Sequence, residues 1–107
     1  MTKLLFAALF SLIATAAQAA DDTVTLSLKD HKFSPAEIHV MANAPTSVTL
    51  VNNDTETEEF DSVALKVEKV VSGHSTGVMR WRPLAPGRYS FIGEFHSETA
   101  RGVVIVE

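Results

Sequence analysis

The chain has 107 residues, enough for a single domain; 13 acidic residues against 9 Lys and Arg give a formal charge of −4 at pH 7, and there is no cysteine. That balance, with no stretch clustering Lys and Arg, argues against nucleic acid as a partner. The absent thiols exclude disulfides, thiolate metal sites and thiol nucleophiles.

Residues 1–19 read as a signal peptide rather than as part of the fold. Lys3 supplies a positive start, residues 4–17 are almost wholly apolar, and Ala17-Gln18-Ala19 places small residues where a signal peptidase reads. Cleavage is expected after Ala19, with Ala20 the alternative, and export would place the mature protein in the periplasm. The apolar run is shorter than the roughly 20 residues of a membrane-spanning helix, so a retained anchor is the lesser alternative. Residues 20–107 form the expected domain, and its core must hold without covalent cross-links.

Residues 23–28, TVTLSL, alternate strictly with Val24, Leu26 and Leu28 on one face, the pattern of a half-buried strand. Residues 30–35 break it, and His31 beside this turn reads as an ordinary exposed residue. A second alternating run over residues 37–41 carries Ile38 and Val40 inward and His39 outward. After a turn at Asn43-Ala44-Pro45, Thr46–Asn52 is a strand with Val48 and Leu50 inward. Asn52-Asn53-Asp54 ends it with side chains that bond their own backbone.

Residues 54–61, DTETEEFD, read as an acidic loop in which Glu56, Glu58, Glu59 and Asp61 crowd together. Such crowding costs Coulomb energy unless water, cations or basic groups screen it. Residues 62–71 alternate imperfectly, with Leu65, Val67 and Lys69 on one face and Lys66, Glu68 and Val70 on the other. Ser72-Gly73 is a turn that leaves His74 exposed. Residues 77–82 form a further strand, with Met79 read as core because methionine fills irregular gaps in apolar cores.

The C-terminal stretch from Pro83 reads PLAPGRYSFIGEFHSETARGVVIVE. Pro86-Gly87 delivers the chain into an extended run over residues 88–95, and a last strand covers residues 102–106. Between them lies a polar loop with Glu94, His96 and Glu98. If the first strand persists to His96, Glu94 and His96 point the same way, presenting a carboxylate beside an imidazole as half a metal site or an acid/base pair. Val103 and Ile105, with Tyr89 and Phe91, are expected to face the core. Short strands separated by turns, with no helical periodicity after residue 19, predict an all-β Greek-key sandwich of about seven or eight strands.

The Pro-Gly turn, Tyr89-Ser90-Phe91, the His-bearing loop and the terminal Val-rich strand resemble the C-terminal end of the cupredoxins. Against that pattern Gly93 falls at the Cys position, His96 at the His position and Ala100 about at the Met position, while Glu58 or Glu59 takes the place of the first His. EEFDS, LKVEK, PLAPGRYSF and GEFHSETARG together resemble more specifically the periplasmic cupredoxin-like proteins of bacterial ferrous-iron uptake systems. That resemblance covers residues 20–107. It implies work beside a periplasmic iron-binding protein and an inner-membrane permease of the oxidase-dependent iron type, oxidising ferrous iron or passing an electron as iron is handed on.

Carried over residue by residue, the resemblance gives Glu58, Glu59, Asp61, Glu68, Glu94 and His96 as metal ligands, with a copper or iron ion as cofactor. Carboxylates with one imidazole suit Fe, Mn or Zn and can hold Cu(II), but do not make the trigonal His₂Cys blue site. A metal-free interaction module is the competing reading, in which Lys69 and Arg101 neutralise the carboxylates and an acidic face docks onto the iron-binding partner. A hydrolase is the least supported: Ser62 and Ser97 lie near acidic residues, but no Gly-x-Ser-x-Gly elbow is present.

Overall fold

The computed structural model describes residues 22–107, so the signal peptide expected at residues 1–19 lies outside the described part. Among the described residues nine strands are formed: β1 Asp22–Lys29, β2 Lys32–Ser34, β3 Glu37–Val40, β4 Thr46–Asn52, β5 Glu58–Ser62, β6 Val67–Val71, β7 Ser75–Trp81, β8 Gly87–Gly93 and β9 Arg101–Val106. They make two sheets, ordered β2-β1-β4-β7 and β3-β9-β8-β5-β6. The all-β sandwich predicted from alternation is therefore the fold.

Alternation decides which residues fill the gap between the sheets. In β4, Thr46, Val48, Leu50 and Asn52 are buried while their neighbours are half-buried. Leu26 in β1 lies beside Leu50 across a parallel pairing, and Met79 in β7 is buried opposite Val48. Phe60 stacks on Phe91 at 5.0 Å and on Trp81 at 5.9 Å, and Phe33 meets both phenylalanines edge-on. Burying each such ring contributes about 1.5–3 kcal/mol, so these four aromatics dominate the interior.

Five elements differ from the sequence reading. The run read as one alternating stretch over residues 62–71 is broken by a turn at 63–66, so Ser62 ends β5 and pairs across that turn with Val67 of β6, and Leu65 lies outside the strand. The segment read as a break at residues 30–35 contains β2, which closes a tight hairpin onto β1. Half of the acidic loop is strand: Glu58–Ser62 pairs with β6 on one side and β8 on the other, because Phe60 and Ser62 alternate inward beneath the carboxylates. On β9 the buried residues are Val104 and Val106, and Val103 and Ile105 are only half-buried. Four consecutive apolar residues carry no phase, so the pairing of Tyr89 with Val104 and Phe91 with Gly102 sets the face, and a shift by one residue inverts it. Finally, β8 stops at Gly93 and the chain enters a 3₁₀ turn, Glu94–His96.

These paths bring four connections to one end of the sandwich. The β1–β2 turn, the β4–β5 loop, the β6–β7 loop and the 3₁₀ turn all lie there. Asn53 N donates to the Leu28 carbonyl and His74 N to the Asp54 carbonyl, tying three of them together. Gly73 is required at this junction, because a Cβ there would lie 2.0 Å from the Thr55 carbonyl oxygen.

Candidate metal centre

Asn52 sets the shape of the β4–β5 loop. Its side chain is buried, its amide donates to the Glu56 and Val71 carbonyls, and its carbonyl oxygen accepts the Asp54 N–H. Asp54 in turn accepts the backbone N–H groups of Asp30 at 2.7 Å and His31 at 3.0 Å. Both of those residues adopt positive φ, an uncommon conformation outside glycine, and the Asp54 clamp holds the turn in it. Burial raises the Asp54 pKa, but these two backbone donors together with the charges of His31 and Lys29 outweigh it, and the net shift is downward. The consequence is positional: Asn52 places Glu56, and Asp54 places His31.

Glu58 opens β5 and is fully buried. One carboxylate oxygen accepts the N–H of Glu59 at 3.0 Å and of Phe95 at 2.9 Å; the other lies 2.6 Å from His96 Nδ1. His96 Nε2, at the far side of the ring, lies 2.8 Å from Glu56 Oε2. The His31 ring stacks on the His96 ring at 3.6 Å and 13°, with its Nε2 3.7 Å from the same Glu56 oxygen. The hydrogen bond to Glu58 raises the His96 pKa; burial opposes it and Glu56 adds to it.

The six residues expected as ligands thus fall into two groups. Glu58 and His96 meet at the loop end. Glu59 and Asp61 lie on the opposite face of β5, where they join Glu68 of β6, directly across from Asp61. Glu94 lies beside this outer group, and the closeness of the Asp61 carboxyl, with burial and the neighbouring negative charges, raises its pKa. The expectation that Glu94 and His96 point the same way is overturned, since a 3₁₀ turn advances about a third of a turn per residue and separates positions two apart.

The proposed neutralising partners are also elsewhere. The Lys69 stem lies by Gly77, on the β6 face away from Glu68, and Arg101 Nε donates to the Ser97 carbonyl. His39 sits at a distance on β3 between Glu37 and Glu107, as an exposed strand residue.

His31 and Glu56 were not legible as partners of His96. From the sequence, one is a turn residue and the other part of an acidic run. The signal that joins them is topological: β1 and β4 run parallel, so the turn after Leu28 and the loop after Asn52 must leave the sheet side by side. Among the described residues, His31, Glu56 and His96 each offer a ligand atom within 4.8 Å of the others, and so, separately, do Glu59, Asp61 and Glu68.

The cupredoxin-like domain family matches residues 2–106. The chain is 39% identical over 83 residues to the uncharacterized protein RP394 of Rickettsia prowazekii (strain Madrid E), covering 78% of this chain and 66% of that one. Among solved structures it is similar to auracyanin A, a blue copper protein from Chloroflexus aurantiacus, with a TM-score of 0.70 and 15% identity over 82% of this chain and all of that one. Amicyanin from Paracoccus versutus gives a TM-score of 0.62 at 18% identity, covering 85% and 87% of the two chains. The metal-binding domain of the Streptococcus pneumoniae Cu(I)-exporting ATPase CopA gives 0.67 at 16% identity, covering 79% and 84%.

A blue copper centre of the thiolate kind does not fit this pole. The chain offers no sulfur from cysteine. A Cβ on Gly93 would lie 2.7 Å from Glu58 Cδ and 2.8 Å from Ala100 Cβ, so the Glu58 carboxylate already fills that space. The donors present are imidazole nitrogens and carboxylate oxygens.

Proposed function

Because the chain belongs to the cupredoxin-like domain family, we propose that it is a cysteine-free periplasmic member of it that binds a copper or iron ion at the His96 pole. It would serve a bacterial ferrous-iron import system, assisting iron oxidation or its hand-over from a periplasmic iron-binding protein to an inner-membrane permease. The observation that carries this reading is His96 itself, bridged between Glu58 and Glu56 with a second imidazole stacked on it. Imidazole with carboxylate oxygen is a donor set for borderline divalent ions such as Fe(II), Zn(II) and Mn(II), and it accommodates Cu(II) without a blue site. The scaffold supports the reading by holding these donors on the start of β5 and on three connections that meet at one end of the sandwich, rather than on a single loop.

One observation favours the metal-free alternative, an interaction module. Glu59, Asp61, Glu68 and Glu94 gather on the outer face of β5 and β6, while the Lys69 stem lies by Gly77 and Arg101 Nε donates to the Ser97 carbonyl. A basic surface on a periplasmic partner would relieve that repulsion. Uptake of labelled ferrous iron separates the readings. In cells lacking the chain, restoration by wild type but not by His96→Ala supports metal handling. Restoration by His96→Ala but not by a Glu59→Gln/Asp61→Asn/Glu68→Gln variant supports docking, and restoration by none removes the iron-import role.

A further inference from the structure

The pole divides its labour between an outer set of donors and one buried carboxylate. We infer that the protein ligands of a bound divalent ion are His31 Nε2, the Glu56 carboxylate and His96 Nε2, with Glu58 a positioning residue behind His96; this rests on the reading that the pole binds metal at all.

The carboxylate of Glu58 is engaged by three donors: two backbone N–H groups at one oxygen and His96 Nδ1 at the other. It is also wholly buried, so no lone pair of it faces solvent where an ion would arrive. Its effect on His96 is to hold a proton on Nδ1, so that Nε2, which lies against Glu56, is the nitrogen that gives up its proton and takes the ion. Carboxylate–histidine pairs of this kind orient metal-binding imidazoles and raise their basicity. Nε2 faces Glu56, whose side chain is 60% exposed, and beside it His31 is 37% exposed. A cavity of about 380 Å³ lined by His31, Phe95, His96 and Ser97 opens next to these atoms.

Two imidazoles and one carboxylate on the same side of an ion form the facial arrangement that suits Fe(II) and leaves positions open. Water, or a donor from a partner handing iron over, would fill them. The stacked rings need one adjustment. Imidazole lone pairs lie in the ring plane, so rings inclined by only 13° aim their nitrogens nearly parallel rather than at one point. His96 is locked by Glu58, whereas His31 stands on a surface turn held chiefly by Asp54. His31 is therefore the ligand that swings as the ion enters.

Cu(II) added as a paramagnetic probe to the purified protein reads the ligand set. Wild type is expected to show superhyperfine structure from two nitrogens; His31→Ala and His96→Ala each show one. Glu56→Gln is expected to keep two nitrogens and weaken binding about tenfold or more. Glu58→Gln cannot accept all three donors, because its amide nitrogen must face one of them. It is expected to keep two nitrogens, to lose about 10–100-fold in affinity, and to lose the slowly exchanging His96 Nδ1 proton resonance that Zn(II)-loaded wild type shows. Unchanged affinity and spectrum in both His31→Ala and Glu56→Gln, with binding intact in wild type, would overturn this ligand set while leaving a metal site in place. Absence of binding in wild type would overturn the proposed function as well. His31 and Glu56 are surface residues, so their variants remain informative if the Glu58 variant fails to fold.

Discussion

Glu58 and Gly93 share one space: a side chain on Gly93 would lie 2.7 Å from the Glu58 carboxyl carbon. The residue opposite the buried carboxylate must therefore be glycine, and the carboxylate takes the room that a ligand side chain on β8 would need. Gly93→Ala is expected to destabilise the protein by about 1–3 kcal/mol, the usual cost of overpacking a close-packed interior. Urea denaturation measures it. A neutral result would show that Glu58 gives way easily and is not held by its three donors.

The same relationship decides the colour of the copper-loaded protein. Cu(II) is expected to give no intense blue charge-transfer band with wild type, since no thiolate is available. Introducing Gly93→Cys alone should not create one, because the new side chain collides with Glu58 and Ala100. An intense visible band in wild type would mean that the donor assignment is wrong.

Stability should fall as pH rises. His96 has its pKa raised first by the Glu58 hydrogen bond, so its contribution is full below the ordinary value of 6.5 and is lost as pH passes the raised folded value. Glu94, raised through Asp61 and its acidic neighbours, acts in the same direction from above its ordinary 4.5, as ionisation sets it against Asp61, Glu59 and Glu68. At the acid end Asp54, whose pKa is lowered, loses its contribution as pH falls below about 3.8. Urea midpoints of the metal-free protein at pH 6, 7 and 8 should decline, and His96→Ala should flatten much of that decline. A rising series would contradict the ion-pair geometry.

Asn52 offers a test of how the loop is built. Asn52→Leu leaves the Glu56 and Val71 carbonyls and the Asp54 N–H without their partner, each costing about 1–3 kcal/mol if it stays dry. A loss of about 2–4 kcal/mol, with faster amide exchange across residues 53–57, is expected. Unchanged exchange there would show that Asp54 alone holds the loop.

The fold was largely legible because the strands that carry one apolar face, such as β1 and β4, state their phase in the sequence. Where every residue is apolar, as in β9, the phase comes from the neighbouring strand and is invisible locally. The resemblance to the cupredoxin pattern put Glu58 or Glu59 at the first-ligand position beside the His96 loop, and only the burial phase of β5 selects Glu58. Glu94 was misplaced because a strand-to-3₁₀ transition at Gly93 leaves no mark in composition. His31 and Glu56 depend on two loops meeting through the parallel pairing of β1 with β4, a long-range relation that no local spacing encodes.

Anaerobic titration of Fe(II) into wild type and His96→Ala at neutral pH, followed by calorimetry, addresses the central claim most directly. The account predicts one ion bound per wild-type chain and a loss of at least about a hundredfold in the variant, beyond what removal of an outer-shell partner costs. Equal affinity in the two proteins would contradict it.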